Sequence, residues 1–139
     1  MTRPLAGLLA AILVACGGVT FPTAGVQIHT DASSYAIAMS GARVRVTVAN
    51  VSERSTTLAT CGGVPVLMVE LQSGRAWVGR QPFVCANVPY EQLVLAPGDS
   101  ITTETIADPV GTHRIRAALY HGPQDIRFSR ETSAPFEVY

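Results

Sequence analysis

The sequence predicts an all-β domain, an antiparallel immunoglobulin-like β-sandwich of seven or eight strands, placed behind an N-terminal signal peptide. Three observations predict it. "RVRVTVANVS" and "GTHRIRAALYHG" alternate apolar and polar residues with period two, turn dipeptides separate the apolar runs, and no segment beyond the N-terminal one has helical periodicity. The bulk numbers agree. At 139 residues the chain is the size of one ordinary domain, and 47% hydrophobic against 14% charged residues provides enough apolar surface to offset chain entropy.

The chain opens with Met1-Thr2-Arg3, one positive charge, followed by the apolar run Leu5 to Val14 and the small residues Ala15, Cys16, Gly17 and Gly18. That is the layout of a secretory signal over residues 1–15. A permanent span needs about 20 apolar residues, and this run is shorter. Residues 16–25 mix Gly, Pro and Thr without periodicity and read as a tether, so the fold is expected over 26–139.

From Arg43 to Ser52, Val44, Val46 and Val48 fall on one face and Arg43, Arg45 and Thr47 on the other, the pattern of a half-buried strand. "VPVLMVELQ", Val64 to Gln72, is apolar on both faces until Glu70, which suits a central strand. Ser73-Gly74 is a turn signal, and "RAWV" returns as the second strand of a hairpin. Strands are expected at Gln92 to Leu95 and Ser100 to Ile106, joined by a turn in which Pro97 presets φ and Gly98 takes the positive one. In "GTHRIRAALYHG", Ile115, Ala117 and Leu119 alternate with Arg114, Arg116 and Ala118, and "APFEVY" closes the chain as a last strand.

Leu13-Val14-Ala15-Cys16 resembles the lipobox of bacterial lipoproteins. The resemblance implies that Cys16 is lipidated on sulfur, that cleavage falls between Ala15 and Cys16, and that the new amine is open to acylation, for example by palmitate. Two or three acyl chains would anchor the protein stably to a membrane of the cell envelope, whereas one gives marginal binding. Gly17 after the cysteine is similar to the pattern of lipoproteins sent to the outer membrane where a bacterium has two membranes. Lipidation leaves Cys61 and Cys85 as an even pair in an oxidising compartment, where a disulfide persists. The alternative is two separate buried thiols.

The order "VRVTVANVS", "SGRAW", "LAPGDS", "GTHRIRA" and a final apolar strand is similar to the sandwich of the bacterial intracellular proteinase inhibitor family, over roughly Val44 to Tyr139. In that pattern an aromatic, usually Tyr, follows Gly-Thr, and here His113 stands in its place, where a hydrogen bond across a sandwich corner is expected. The chain departs from the pattern in its export signal and in Cys61 and Cys85. Proteinase inhibition by a presented loop is therefore an alternative to the first reading, a binding or structural module for an envelope protein.

Charge and motifs narrow the function classes. Ten Arg and no Lys balance ten Asp plus Glu, so no net field favours nucleic acid. His29, His113, His121, Met39 and Met68 lack metal-ligand spacing, which makes a periplasmic metal carrier a second alternative and leaves no metal or cofactor expected. No Gly-x-Ser-x-Gly, phosphate-cradling loop or carboxylate pair marks a catalytic centre, and no enzyme activity is expected. Asn50-Val51-Ser52 matches the glycosylation acceptor pattern, which is irrelevant in a bacterial lipoprotein. The richest recognition segment is Ser73 to Glu91, which gathers Arg75, Trp77, Arg80, Phe83 and Tyr90, residue types that dominate interface energetics. The other expectation for Trp77 is packing on the core beside the disulfide.

Overall fold

A computed structural model describes residues 25–80 and 85–139. The signal peptide, Cys16, most of the tether and Phe83 lie outside the described residues. Twelve strand segments and no helix make up the described chain: β1 (Val26–Thr30), β2 (Ser34–Tyr35), β3 (Ala42–Asn50), β4 (Thr56–Cys61), β5 (Val64–Pro65), β6 (Leu67–Ser73), β7 (Ala76–Arg80), β8 (Glu91–Leu95), β9 (Ser100–Ala107), β10 (Gly111–Gly122), β11 (Asp125–Phe128) and β12 (Phe136–Val138).

Two sheets form the sandwich. One is three-stranded, in the order β1-β3-β9, and the other gathers nine segments around β10. The period-two alternation does the sorting: Val44, Val46 and Val48 are fully buried while Arg43 and Arg45 are exposed. They meet Leu58, Leu67, Val69, Ile115, Ala117, Leu119, Phe136 and Val138 of the larger sheet in one core.

The larger sheet is held by β10, whose two halves have different neighbours. Its first half pairs with β12 through Gly111–His113 and with β6 through His113–Ala117. Its second half pairs with β11 and, at Leu119, with Leu58 of β4. The run expected as one strand from Val64 to Gln72 is consequently split at Val66. The Val66 N–H donates to the Ala59 carbonyl at 2.9 Å, and the Val66 carbonyl accepts from the Ala118 N–H at 2.9 Å. One residue thus hands the chain from β4 to β10.

Beside the middle of β10 the chain leaves strand geometry, and two buried serines replace part of the ladder. Ser129 Oγ accepts from the Ala117 N–H at 3.1 Å, and Ser133 Oγ accepts from the Ile115 N–H at 3.0 Å. This keeps buried backbone donors satisfied where β11 and β12 are interrupted. Glycines set two turns, of which the one at Pro97-Gly98 is expected from the sequence. Gly62 and Gly63 both have positive φ, as a two-residue hairpin between β4 and β5 requires, and Gly98 has φ 84° beside an Asp99 N–H to Ala96 carbonyl bond of 3.0 Å.

Asn50 is 1% exposed and its side-chain amide is fully committed. It donates to the Arg54 and Leu95 carbonyls and accepts from the Ser52 N–H and hydroxyl, stapling the β3–β4 loop to the end of β8. It is not presented as a glycosylation acceptor.

At the opposite corner, an aromatic row runs Tyr35, Phe136, His113, with centroids 5.4 and 5.7 Å apart. Burial, and next a 2.6 Å hydrogen bond to Asp31, raise the Tyr35 phenol above its ordinary pKa. His113 is fully buried, and its Nε2 lies 2.7 Å from the Pro109 carbonyl, four residues upstream. A carbonyl only accepts, so Nε2 carries the proton. The expected corner bond is present. Nδ1 is buried without a partner among the described residues. His113→Ala should lower unfolding free energy by about 3 kcal/mol, through the cavity and the lost bond. His113→Phe fills the volume and removes the unpartnered nitrogen, so a loss of only about 1 kcal/mol is expected in urea unfolding; equal losses would contradict this account.

Candidate functional site on the outer face of the larger sheet

The alternation that sends Ile115 and Ala117 into the core sends Arg114 and Arg116 to the outer face of the sheet. Register places Arg114 opposite Glu70 and Arg116 opposite Met68 on β6, while Trp77 on β7 stands opposite Gln72. Residues directly opposite share a face, so these side chains form one cluster.

Its centre is the Glu70 carboxylate, only 5% exposed. Arg114 Nε donates to Oε2 at 2.5 Å and Arg116 Nη1 donates to Oε1 at 3.4 Å. Two cations offset the desolvation of one buried anion, and the group keeps a net positive charge. Arg116 is anchored further, donating from Nε to the Ser129 carbonyl and from Nη2 to the Phe128 carbonyl at 3.2 Å. Arg114 is held differently. Its guanidinium carbon sits 4.4 Å from the Trp77 ring centroid, a cation–π contact that orients both groups.

The other end of this face is closed by the Cys61–Cys85 disulfide, with Cα atoms 5.6 Å apart. It packs with Ala59, Val66 and Ala118, and Tyr120, Ile126 and Phe128 line the same small core. The Tyr120 hydroxyl donates to the Tyr90 carbonyl at 3.3 Å, tying the segment after Cys85 to the sheet. The larger sheet therefore has a core on each face.

The residues singled out in the sequence do not converge on one patch. Arg75 is exposed in the β6–β7 turn, and Trp77 is half-buried against Arg114 rather than in either core. Arg80 stands opposite Val69, which faces the interior, so it lies on the other face of β7 from Trp77. Tyr90 is 36% exposed at the disulfide end, and Phe83 lies outside the described residues. Glu70, Arg114 and Arg116 were missed as a cluster. The signal was present in the acid that ends the apolar run of β6 and the two arginines alternating in β10. Among the described residues no group of three or more His, Cys, Asp or Glu is placed to hold a metal ion.

Comparison with protein-family models finds no match, and comparison with curated proteins finds none. Solved structures similar to the fold include the β-glucosidase from Listeria innocua in complex with glucose, at 17% identity and a TM-score of 0.38, the match covering 84% of this chain and 16% of that one. A β-glucosidase from Erythrobacter marinus matches at 15% identity and a TM-score of 0.36, covering 85% of this chain and 16% of that one. The chain spans 16% of the length of either enzyme, and likeness this distant carries no functional argument.

Glu70→Ala should lower stability by about 2 kcal/mol, because two partly buried arginines lose their common acceptor. It should also red-shift the emission of Trp77, the one tryptophan in the sequence, as Arg114 is released; unchanged emission and an unchanged urea midpoint would contradict the coupling. Replacing both Cys61 and Cys85 by Ala is expected to cost about 3 kcal/mol in denaturant unfolding, the loop-closure value for a bridge of this span. Equal midpoints for wild type and the double variant would show that the bridge does not stabilise the fold.

Proposed function

We propose that the chain is a bacterial envelope lipoprotein, anchored through lipid on Cys16, whose sandwich acts as a binding module for an envelope protein. The observation that carries this reading is the Cys61–Cys85 bridge inside the fold. With two of three cysteines joined, the remaining one is the cysteine of the lipobox-like Leu13-Val14-Ala15-Cys16. A disulfide that closes a core belongs to an oxidising compartment, which is where such a signal would deliver the protein. The anchor then needs no spanning helix. No helix among the described residues is long and apolar enough to cross a membrane, which is neutral for a lipid anchor.

Binding is supported by what the strands present. The β6–β7 hairpin holds Arg75 at its turn and Trp77 stacked with Arg114, an aromatic and a cation already oriented before any partner arrives. Preorganised Trp and Arg lose little entropy on association. In the native host, wild type should incorporate labelled palmitate and yield a mature product beginning at Cys16. Cys16→Ser should accumulate as an uncleaved, unlabelled precursor; normal processing and membrane retention of that variant would overturn the proposal.

A further inference from the structure

We infer that the open side of the sandwich, between β9 and the β6–β7 hairpin, receives an extended strand from a partner protein, with apolar residues at alternate positions and a carboxylate that meets Arg80. This deepens the reading of the domain as a binding module and is independent of the lipid anchor.

The two sheets differ in width. The smaller ends at β9, whereas the larger continues from β10 through β6 to β7. β9 pairs with β3 alone, so alternate N–H and C=O groups along its eight residues face outward without a strand partner among the described residues. Natural edges are commonly blunted by Pro, bulges, short length or inward-pointing charge. β9 has none of these. "SITTETIA" is rich in β-branched residues, its register with β3 is continuous from Ala42↔Ala107 to Ala49↔Ser100, and its one charge, Glu104, is exposed 3.9 Å from Arg45 and borders the groove alongside.

Beside this edge runs a groove of about 330 Å³, with Leu67 and Val69 as its floor. Val64 and Ile106, each 44% exposed, form its rims, Arg80 stands at one wall, and Glu104 and Thr105 of β9 line the side of the edge strand. Each feature specifies part of the occupant. The row of outward backbone groups calls for another extended main chain, as in strand addition. The apolar floor calls for an apolar side chain at every second residue. Glu104, the carboxylate of the groove lining, is paired with Arg45 at 3.9 Å, so Arg80 has no ion pair among the described residues and calls for a carboxylate from the occupant. A second copy of the same edge fits less well. The inward positions of β9 are Ile101, Thr103, Thr105 and Ala107, so a copy would bring two threonines to an apolar floor, and its Glu104 would face away from Arg80.

The test uses full-length protein in detergent and a set of eight-residue peptides alternating valine with threonine, each with one glutamate at a different valine position. At least one peptide should bind and slow amide exchange in β9, but not in β1 or β8. Thr105→Lys, which fills the groove from the edge strand, should weaken binding about ten-fold or more while leaving the thermal midpoint near wild type. Arg80→Glu should weaken the glutamate peptide about three-fold and favour its lysine counterpart. Three results would overturn the inference: no peptide binding up to about 1 mM, protection confined to β1 or β8, or β9 protection already present without peptide together with a concentration-dependent dimer. The Cys16→Ser outcome does not affect these readings, so failure of the anchor and failure of the groove are separable.

Discussion

The division of β10 between two sets of neighbours is the constraint on which the rest of the larger sheet depends. A strand of twelve residues bonded to β6 and β12 along one half and to β4 and β11 along the other must hold both halves in register at once. Val66 makes that possible by donating to β4 and accepting from β10, and Ser129 and Ser133 complete the ladder where the neighbouring chain departs from it. Because side chains alternate with period two, fixing this backbone fixes both faces. Ile115, Ala117 and Leu119 enter the main core, while Arg114, Arg116 and Ala118 are placed outside.

Consequences for function follow from the second face. Sheets of a sandwich commonly bury one side and wet the other. Here the outer side carries a disulfide core at one end and a Trp–Arg–Glu–Arg cluster at the other, so little of it is plain solvated surface. The bridge closes that face covalently, and the cluster holds its charged groups rigid by mutual contact. A lipid on Cys16 would add location without adding anything to the fold. On the proposed reading of the domain as a binding module, recognition would come from side chains that are already ordered.

Much of the architecture was legible because alternation is a local signal. The valines of β3 and the arginines and apolar residues of β10 declared their faces directly, and Pro97-Gly98 declared its turn. β4 was missed because "STTLATC" looks like a cluster of turn hydroxyls, although its threonines are good strand formers. β11 was missed because four residues after a turn are too few to show a period. The split at Val66 was beyond reach, since it arises from an exchange of tertiary partners and leaves no local mark. The Glu70 cluster did leave local signs, an acid in an apolar run and two alternating arginines, but their pairing across 44 and 46 residues of chain is a tertiary fact. Trp77 and Arg80 read as neighbours in sequence, yet three steps along a strand put them on opposite faces.

If β10 organises the fold, its central amides should be the last to open. Native-state hydrogen exchange measures this directly, residue by residue. The Ile115, Ala117 and Ala118 amides, all of them at buried positions, should exchange only through global unfolding, at the free energy given by denaturant. Exchange of these amides through a cheaper local opening, while β3 and β9 stay protected, would show that the smaller sheet holds the domain and would contradict the account.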